Sequence, residues 1–236
     1  MQWLRSLLFT GFMFAWTGCY SIFFTIVCGF LPFGWRFKLA NAYARAMLAA
    51  LKWTCGLDYR VEGRENIVPG AHVALWKHSS SWETFAMQVI FPPQAWVLKR
   101  ELMWIPFFGW ALGLMRGIAI DRSAGASAVN QVVDKGLQRI RDGIWVIIFP
   151  EGTRVAAGEM RRFGVSGALL AAKAGCKVVP VAHDAGLFWP RRGLLKKPGV
   201  IRVKIGPPIE AAHREARAIT AEAQAWIENA MKSGAR

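Results

Sequence analysis

The chain opens on a long apolar run. From Ser6 to Trp35 no residue is charged. A helix over 7–28 would be about 33 Å long at 1.5 Å per residue, enough to cross a bilayer core of about 30 Å. The run is longer than a signal-peptide core and continues without a small-x-small cleavage site. It therefore predicts a retained anchor, either spanning the bilayer or dipping into one leaflet. Trp3 and Trp35 near its ends suit the membrane–water interface.

The pattern then changes. Lys38, Asn41, Arg45 and Lys52 recur at helical spacing, with Leu39, Tyr43, Met47 and Ala50 on another side. This predicts a basic amphipathic helix on the membrane surface. The first 57 residues hold five basic side chains and no acidic one, a bias that marks the cytoplasmic side. Residues 1–56 are thus expected to form a membrane segment and 57–236 a catalytic or binding domain.

Beyond it, short apolar or alternating runs at 59–62, 72–76, 95–98, 118–120, 145–149, 177–182 and 200–205 predict strands. Helices are predicted at 81–90, 127–141, 166–174 and 211–232. In the second of these, Val129, Val132, Val133, Leu137 and Ile140 mark the inner face. Strands interleaved with helices predict an α/β fold, a mixed and largely parallel sheet covered by helices. The uncharged span 102–115 is interrupted by Pro106, Gly109 and Gly113. It predicts a buried or acyl-lining segment rather than a second membrane crossing.

Composition narrows the partners. The 236 residues are 54% hydrophobic with a net charge of +15, so anionic partners are expected. Four cysteines without CxxC spacing predict free thiols and no zinc site. No finger, basic zipper or RNA-recognition motif supports nucleic-acid binding.

Two strings carry candidate chemistry. In His78-Ser79-Ser80-Ser81-Trp82-Glu83, a histidine at a strand–helix junction is followed by a carboxylate in the first helical turn. The imidazole can take a proton near neutral pH, and Glu83 can fold back to orient it. Ser80 or Ser81 can cap the helix. His72, His183 and His213 have no acid in such register and read as structural. In Phe149-Pro150-Glu151-Gly152-Thr153-Arg154, an apolar strand runs into a turn. Arg154 can grip a phosphate with its fork, Gly152 permits close backbone approach, and Glu151 can hold the arginine or a substrate hydroxyl. A surface turn with an internal ion pair is the plainer reading. Lys99, at a strand end, is a second candidate phosphate ligand. The loop from Phe188 to Arg192, with Lys196 and Lys197, offers contacts to an acyl donor or lipid headgroups.

Together with Lys99-Arg100-Glu101-Leu102, Ile120-Asp121-Arg122 and Val179-Pro180-Val181, these strings resemble the blocks of the glycerophospholipid acyltransferase family, in the same order. Within it the resemblance is to the 1-acyl-sn-glycerol-3-phosphate (lysophosphatidic acid) acyltransferases, over residues 73–206. It implies that His78 is the catalytic base and Glu83 its partner. Lys99 and Arg154 would bind the acceptor phosphate, with Glu151, Gly152 and Thr153 shaping that site. The donor would be acyl-CoA or acyl carrier protein, with no metal or redox cofactor. Three positions depart from the pattern: Lys77 where Asn is common, Glu83 where Asp is commoner, and Gly164 after Phe163 where Lys often follows. Arg161 and Arg162 are candidates to supply the missing charge.

The implied reaction is direct transfer. His78 deprotonates the 2-hydroxyl of 1-acyl-sn-glycerol 3-phosphate, and the oxygen attacks a thioester. An acyl-enzyme on serine is disfavoured, because Gly164-Val165-Ser166-Gly167-Ala168 misses the G-x-S-x-G elbow. Two alternatives stand beside it: another lyso-lipid acceptor, such as a lysophospholipid or a lyso-ornithine lipid, and a non-enzymatic basic membrane-surface protein.

Overall fold

The computed structural model describes residues 1–232. Alternating side chains along the strands build its core. Val73 and Leu75 of β2 (Val73–Trp76) enter one hydrophobic cluster, Ala74 and Trp76 the other. In β5 (Trp145–Ile148), Val146 and Ile148 side with the first pair, Trp145 and Ile147 with the second. Both strands are buried at every position, so their sequences read as continuous apolar runs.

The remaining strands are β1 (Leu57–Glu62), β3 (Gln94–Lys99), β4 (Ile118–Ile120), β6 (Lys177–His183), β7 (Gly199–Ile205) and β8 (Ile209–Glu210). They form one sheet in the order β1-β7-β6-β2-β5-β3-β4, with β8 beside β6. The run β6-β2-β5-β3-β4 is parallel throughout, while β7 and β8 pair with β6 antiparallel. The predicted mixed, largely parallel sheet is the one observed.

Helices cover both faces. Side chains of α1 (Gln2–Cys28), α2 (Phe33–Cys55) and α3 (Glu83–Ile90) fill one cluster. Those of α5 (Ala126–Arg141), α6 (Ser166–Ala174) and α8 (Ala216–Lys232) fill the other. Two short helices, α4 (Phe108–Leu114) and α7 (Ala185–Phe188), complete the set. In α5, Gly136 meets Leu170 so closely that an added Cβ would lie 2.4 Å from Leu170 Cδ2. That glycine lets α5 and α6 approach.

The two N-terminal helices pack against the domain that follows them. The buried stripe of α2 is Phe37, Ala40, Ala44, Met47, Leu48, Leu51 and Cys55. Leu39, Tyr43 and Ala50 pack beside it, only partly buried. Burying Met47 and Leu51, at 0% and 1% exposure, is worth about 1.5–3 kcal/mol each. Asn41 turns inward and donates to the Gln88 carbonyl at 2.6 Å. Lys38, Arg45 and Lys52 remain exposed, with Lys52 paired to Asp58 at 2.7 Å. So α2 is a core helix with a basic outer face.

Of the described helices, α1 alone is long and apolar enough to cross a membrane. Yet it is tied to the α/β domain near both ends. Gln2 donates to the Cys55 and Lys196 carbonyls at 3.0 and 2.6 Å, and Thr25 donates to the Phe107 carbonyl at 3.1 Å. Its outer face, including Leu4, Leu7, Leu8, Phe14, Phe23 and Ile26, is exposed. Of the two readings of the span 102–115, a buried or an acyl-lining segment, full burial is not what the structure shows. Trp104, Ile105 and Trp110 are exposed, adding to the apolar surface beside α1. In the loop 188–197, Trp189 and Lys196 are buried against α1, with Lys196 Nζ 5.5 Å from the Phe9 ring centre, so these two dock the helix, while Arg191, Arg192 and Lys197 are exposed.

Candidate active site

Parallel pairing brings the two sequence strings together. Leu75 of β2 lies beside Ile148 of β5, so both strands end at the same edge, where β3 and β6 end too. Ligands of parallel sheets bind outside such carboxyl ends.

His78 leaves β2 at that edge and is 8% exposed. Its Nδ1 lies 2.7 Å from Glu83 Oε1. A carboxylate only accepts, so Nδ1 carries a proton, and in the neutral ring the lone pair is on Nε2. Glu83 is held by more than this bond. Its Oε1 also accepts the Ser79 and Ser80 backbone N–H groups at 3.0 and 2.9 Å, and Oε2 accepts Ser80 N–H at 3.0 Å. Ser80 Oγ in turn accepts the Trp82 N–H at 3.1 Å. Glu83, the first residue of α3, thus folds back onto the N–H groups that precede the N-cap Trp82, and the same carboxylate orients the imidazole. Burial raises the Glu83 pKa, but His183, His78 and the Ser80 N–H outweigh it, leaving the carboxyl below its ordinary value.

The second string wraps the histidine. The Phe149 ring stacks on the imidazole with centroids 4.0 Å apart. Gly152, at φ +70°, turns the chain, and its N–H donates to the Phe149 carbonyl at 3.0 Å. Val155 N–H then donates to the His78 carbonyl at 2.8 Å. Between them Glu151 is buried, with Oε1 2.5 Å from Lys77 Nζ and Oε2 accepting the His78 N–H at 2.8 Å. Glu151 therefore joins the two strings from behind. It does not hold Arg154, and its oxygens are engaged by the protein itself. The departure at Lys77 is explained by the same contact: its ammonium neutralises Glu151.

Arg154 follows the turn. Its carbonyl accepts Arg191 Nη1 at 2.8 Å. Its Nε is buried and has no hydrogen-bond partner among the described residues, a donor suited to an anionic ligand. Thr153 beside it is half-buried. Lys99 lies at the same sheet edge but is 54% exposed in its side chain and pairs with Glu101 at 3.3 Å. No contact joins it to Arg154 among the described residues. Gly164 N–H donates to the Pro150 carbonyl at 2.8 Å, which anchors the turn, while Arg161 and Arg162 are exposed.

His183, read from sequence as structural, belongs to the site. Its Nε2 lies 2.8 Å from the Lys77 carbonyl oxygen and 3.7 Å from Glu83 Oε2. The signal was the Val179-Pro180-Val181 block: Trp76 pairs with Val181, which puts residue 183 level with residue 78. His72 accepts the Lys177 N–H at 3.1 Å and is structural, as read.

Comparisons with known proteins agree with this geometry. Residues 58–184 match the family model described as Acyltransferase. The chain is 42% identical to the 1-acyl-sn-glycerol-3-phosphate acyltransferase of Pseudomonas aeruginosa, over 98% of this chain and 91% of that one. It is 31% identical to the protein of the same name from Saccharomyces cerevisiae, over 89% and 69% of the respective chains. The crystal structure of the 1-acyl-sn-glycerophosphate (LPA) acyltransferase PlsC from Thermotoga maritima superposes with a TM-score of 0.82 at 20% identity, covering 98% and 95% of the two chains. That likeness bears on the fold.

Proposed function

Because the chain belongs to the acyltransferase family, we propose that it acylates the 2-hydroxyl of 1-acyl-sn-glycerol 3-phosphate to give phosphatidic acid. The observation that carries this reading is the joint between base and anion site. The segment that carries Arg154 also supplies the Glu151 and Val155 bonds to the His78 backbone. A phosphate gripped by Arg154 is therefore held at a fixed offset from the imidazole, as a short glycerol phosphate requires.

His78 Nε2 takes the proton of the 2-hydroxyl as its oxygen attacks the thioester carbonyl. Glu83 stabilises the imidazolium that forms, which is worth about 10²–10⁴-fold together with the base. The tetrahedral oxyanion collapses, the C–S bond breaks, and the leaving thiolate takes the proton from Nε2. Thr153 and the Gly152 turn flank the phosphate, and Lys99 adds a more distant positive charge. The scheme calls for no metal or redox cofactor. Acyl-CoA and acyl carrier protein are both anionic thioesters suited to a chain of net charge +15.

The protein is membrane-associated through α1. We infer that α1 lies along one leaflet rather than spanning the bilayer, a placement supported by its bonds to the rest of the chain near both ends and by its exposed apolar face. Five basic residues and no acidic one in the first 57 favour the cytoplasmic leaflet.

The test is turnover of the purified chain in vesicles against a panel of lyso-lipids with each donor. Phosphomonoester acceptors should exceed lysophosphatidylcholine and lyso-ornithine lipid. Equal or faster turnover of those two would replace the proposed acceptor.

A further inference from the structure

His183 ends β6 and is 2% exposed, between the rings of Trp76 and Trp82 at centroid distances of 6.1 and 5.9 Å. Its two ring nitrogens have opposite partners. Nε2 lies 2.8 Å from the Lys77 carbonyl oxygen, which can only accept. Nδ1 lies 3.3 Å from the Ala185 backbone nitrogen, whose N–H can only donate. These partners fix one neutral tautomer, with the proton on Nε2.

The Lys77 carbonyl and the His78 N–H belong to one peptide plane. His183 Nε2 grips its oxygen, and Glu151 Oε2 grips its N–H at 2.8 Å. A peptide plane held at both edges cannot rotate, so the direction in which the His78 side chain leaves the backbone is set. The same Nε2 edge faces Glu83 Oε2 at 3.7 Å, an electrostatic contact too long for a hydrogen bond. Oε1 of Glu83 is tied to His78 and to two backbone N–H groups, so the His183 edge closes the other side of the carboxylate.

We propose that His183 is a positioning residue for the transfer reaction. As a neutral hydrogen-bond donor it fixes the Lys77–His78 peptide and backs Glu83, and so aims the His78 base. It touches neither acceptor nor donor. This inference rests on the acyl-transfer reading.

The full-length protein in vesicles is assayed with 1-acyl-sn-glycerol 3-phosphate and acyl-CoA, comparing parent, His183→Leu, His183→Gln and His78→Ala. His183→Leu removes the donor and keeps an apolar filler. Its kcat should fall about 10–100-fold, the scale of a small misplacement of a catalytic group. Both KM values should stay within about twofold, since no ligand contact is lost. His183→Gln, whose amide N–H can reach the Lys77 carbonyl, should recover most of the loss. Where His183→Leu fails to fold by thermal melting, His183→Asn, polar but too short, gives the same contrast against Gln. Parent-level kcat in His183→Leu, or equal losses in the Gln variant and its partner, would overturn the inference. A parent no faster than His78→Ala sinks the acyl-transfer reading itself, and this inference with it.

Discussion

Lys77 and Glu151 form an ion pair across 2.5 Å with side-chain exposures of 1% and 0%. The pair sits directly behind the base, since Glu151 also accepts the His78 N–H. Removing one member leaves a buried charge without a counterion, at a cost of about 3–5 kcal/mol. Lys77→Met should therefore lower the thermal midpoint sharply. Lys77→Met combined with Glu151→Leu should regain much of that stability and still be slow, because His78 N–H has lost its acceptor. Calorimetry with turnover assays on the single and double variants checks both expectations.

Arg154 and Lys99 were expected to share one task. The structure separates them by environment: a buried guanidinium nitrogen against an exposed ammonium paired with Glu101. Arg154→Ala should raise acceptor KM and lower kcat/KM at least about 100-fold, the loss of a bidentate, charge-assisted grip of roughly 3 kcal/mol. Lys99→Ala should cost less than about tenfold, as befits a solvent-screened charge. Steady-state kinetics with varied acceptor will order the two.

Acid sensitivity follows from the carboxylates. Glu83 and Asp58 both have folded pKa values below their ordinary ones, Glu83 through His183, His78 and Ser80 against burial, Asp58 chiefly through Lys52. A depressed carboxyl stabilises the fold above its unfolded pKa, and that contribution is lost as pH falls through the folded value. The carboxylate contribution to the thermal midpoint should be lost below about pH 4.5, near the ordinary carboxylate range. A midpoint unchanged between about pH 5 and 3 would contradict this assignment.

Membrane contact can be read at one thiol. Cys19 is exposed on α1, whereas Cys28, Cys55 and Cys176 are buried. In sealed vesicles a charged maleimide should leave Cys19 unmodified while a lipid-soluble one labels it. Rapid labelling by the charged reagent would place α1 in water.

Much of the site was legible because its chemistry is local. His78 and Glu83 straddle one helix start, and the Glu83 return to Ser80 is a pattern of three-residue spacing. The role of Glu151 was not legible. Its partner Lys77 is 74 positions away, and only strand pairing brings them together. His183 was hidden for the same reason. The sheet could be read from runs of apolar residues, but β8, two residues long, has no period to detect. The inner face of α2 was misplaced because Ala40 and Ala44, fully or nearly buried, carry little apolar signal. The helix predicted from 211 begins at Ala216, after β8 and a turn in which His213 takes φ +58°.

The most direct measurement is turnover of His78→Ala with 1-acyl-sn-glycerol 3-phosphate, beside its binding to vesicles. The account predicts a kcat lower by about 10²–10⁴-fold with vesicle binding unchanged. Turnover equal to the parent would contradict it.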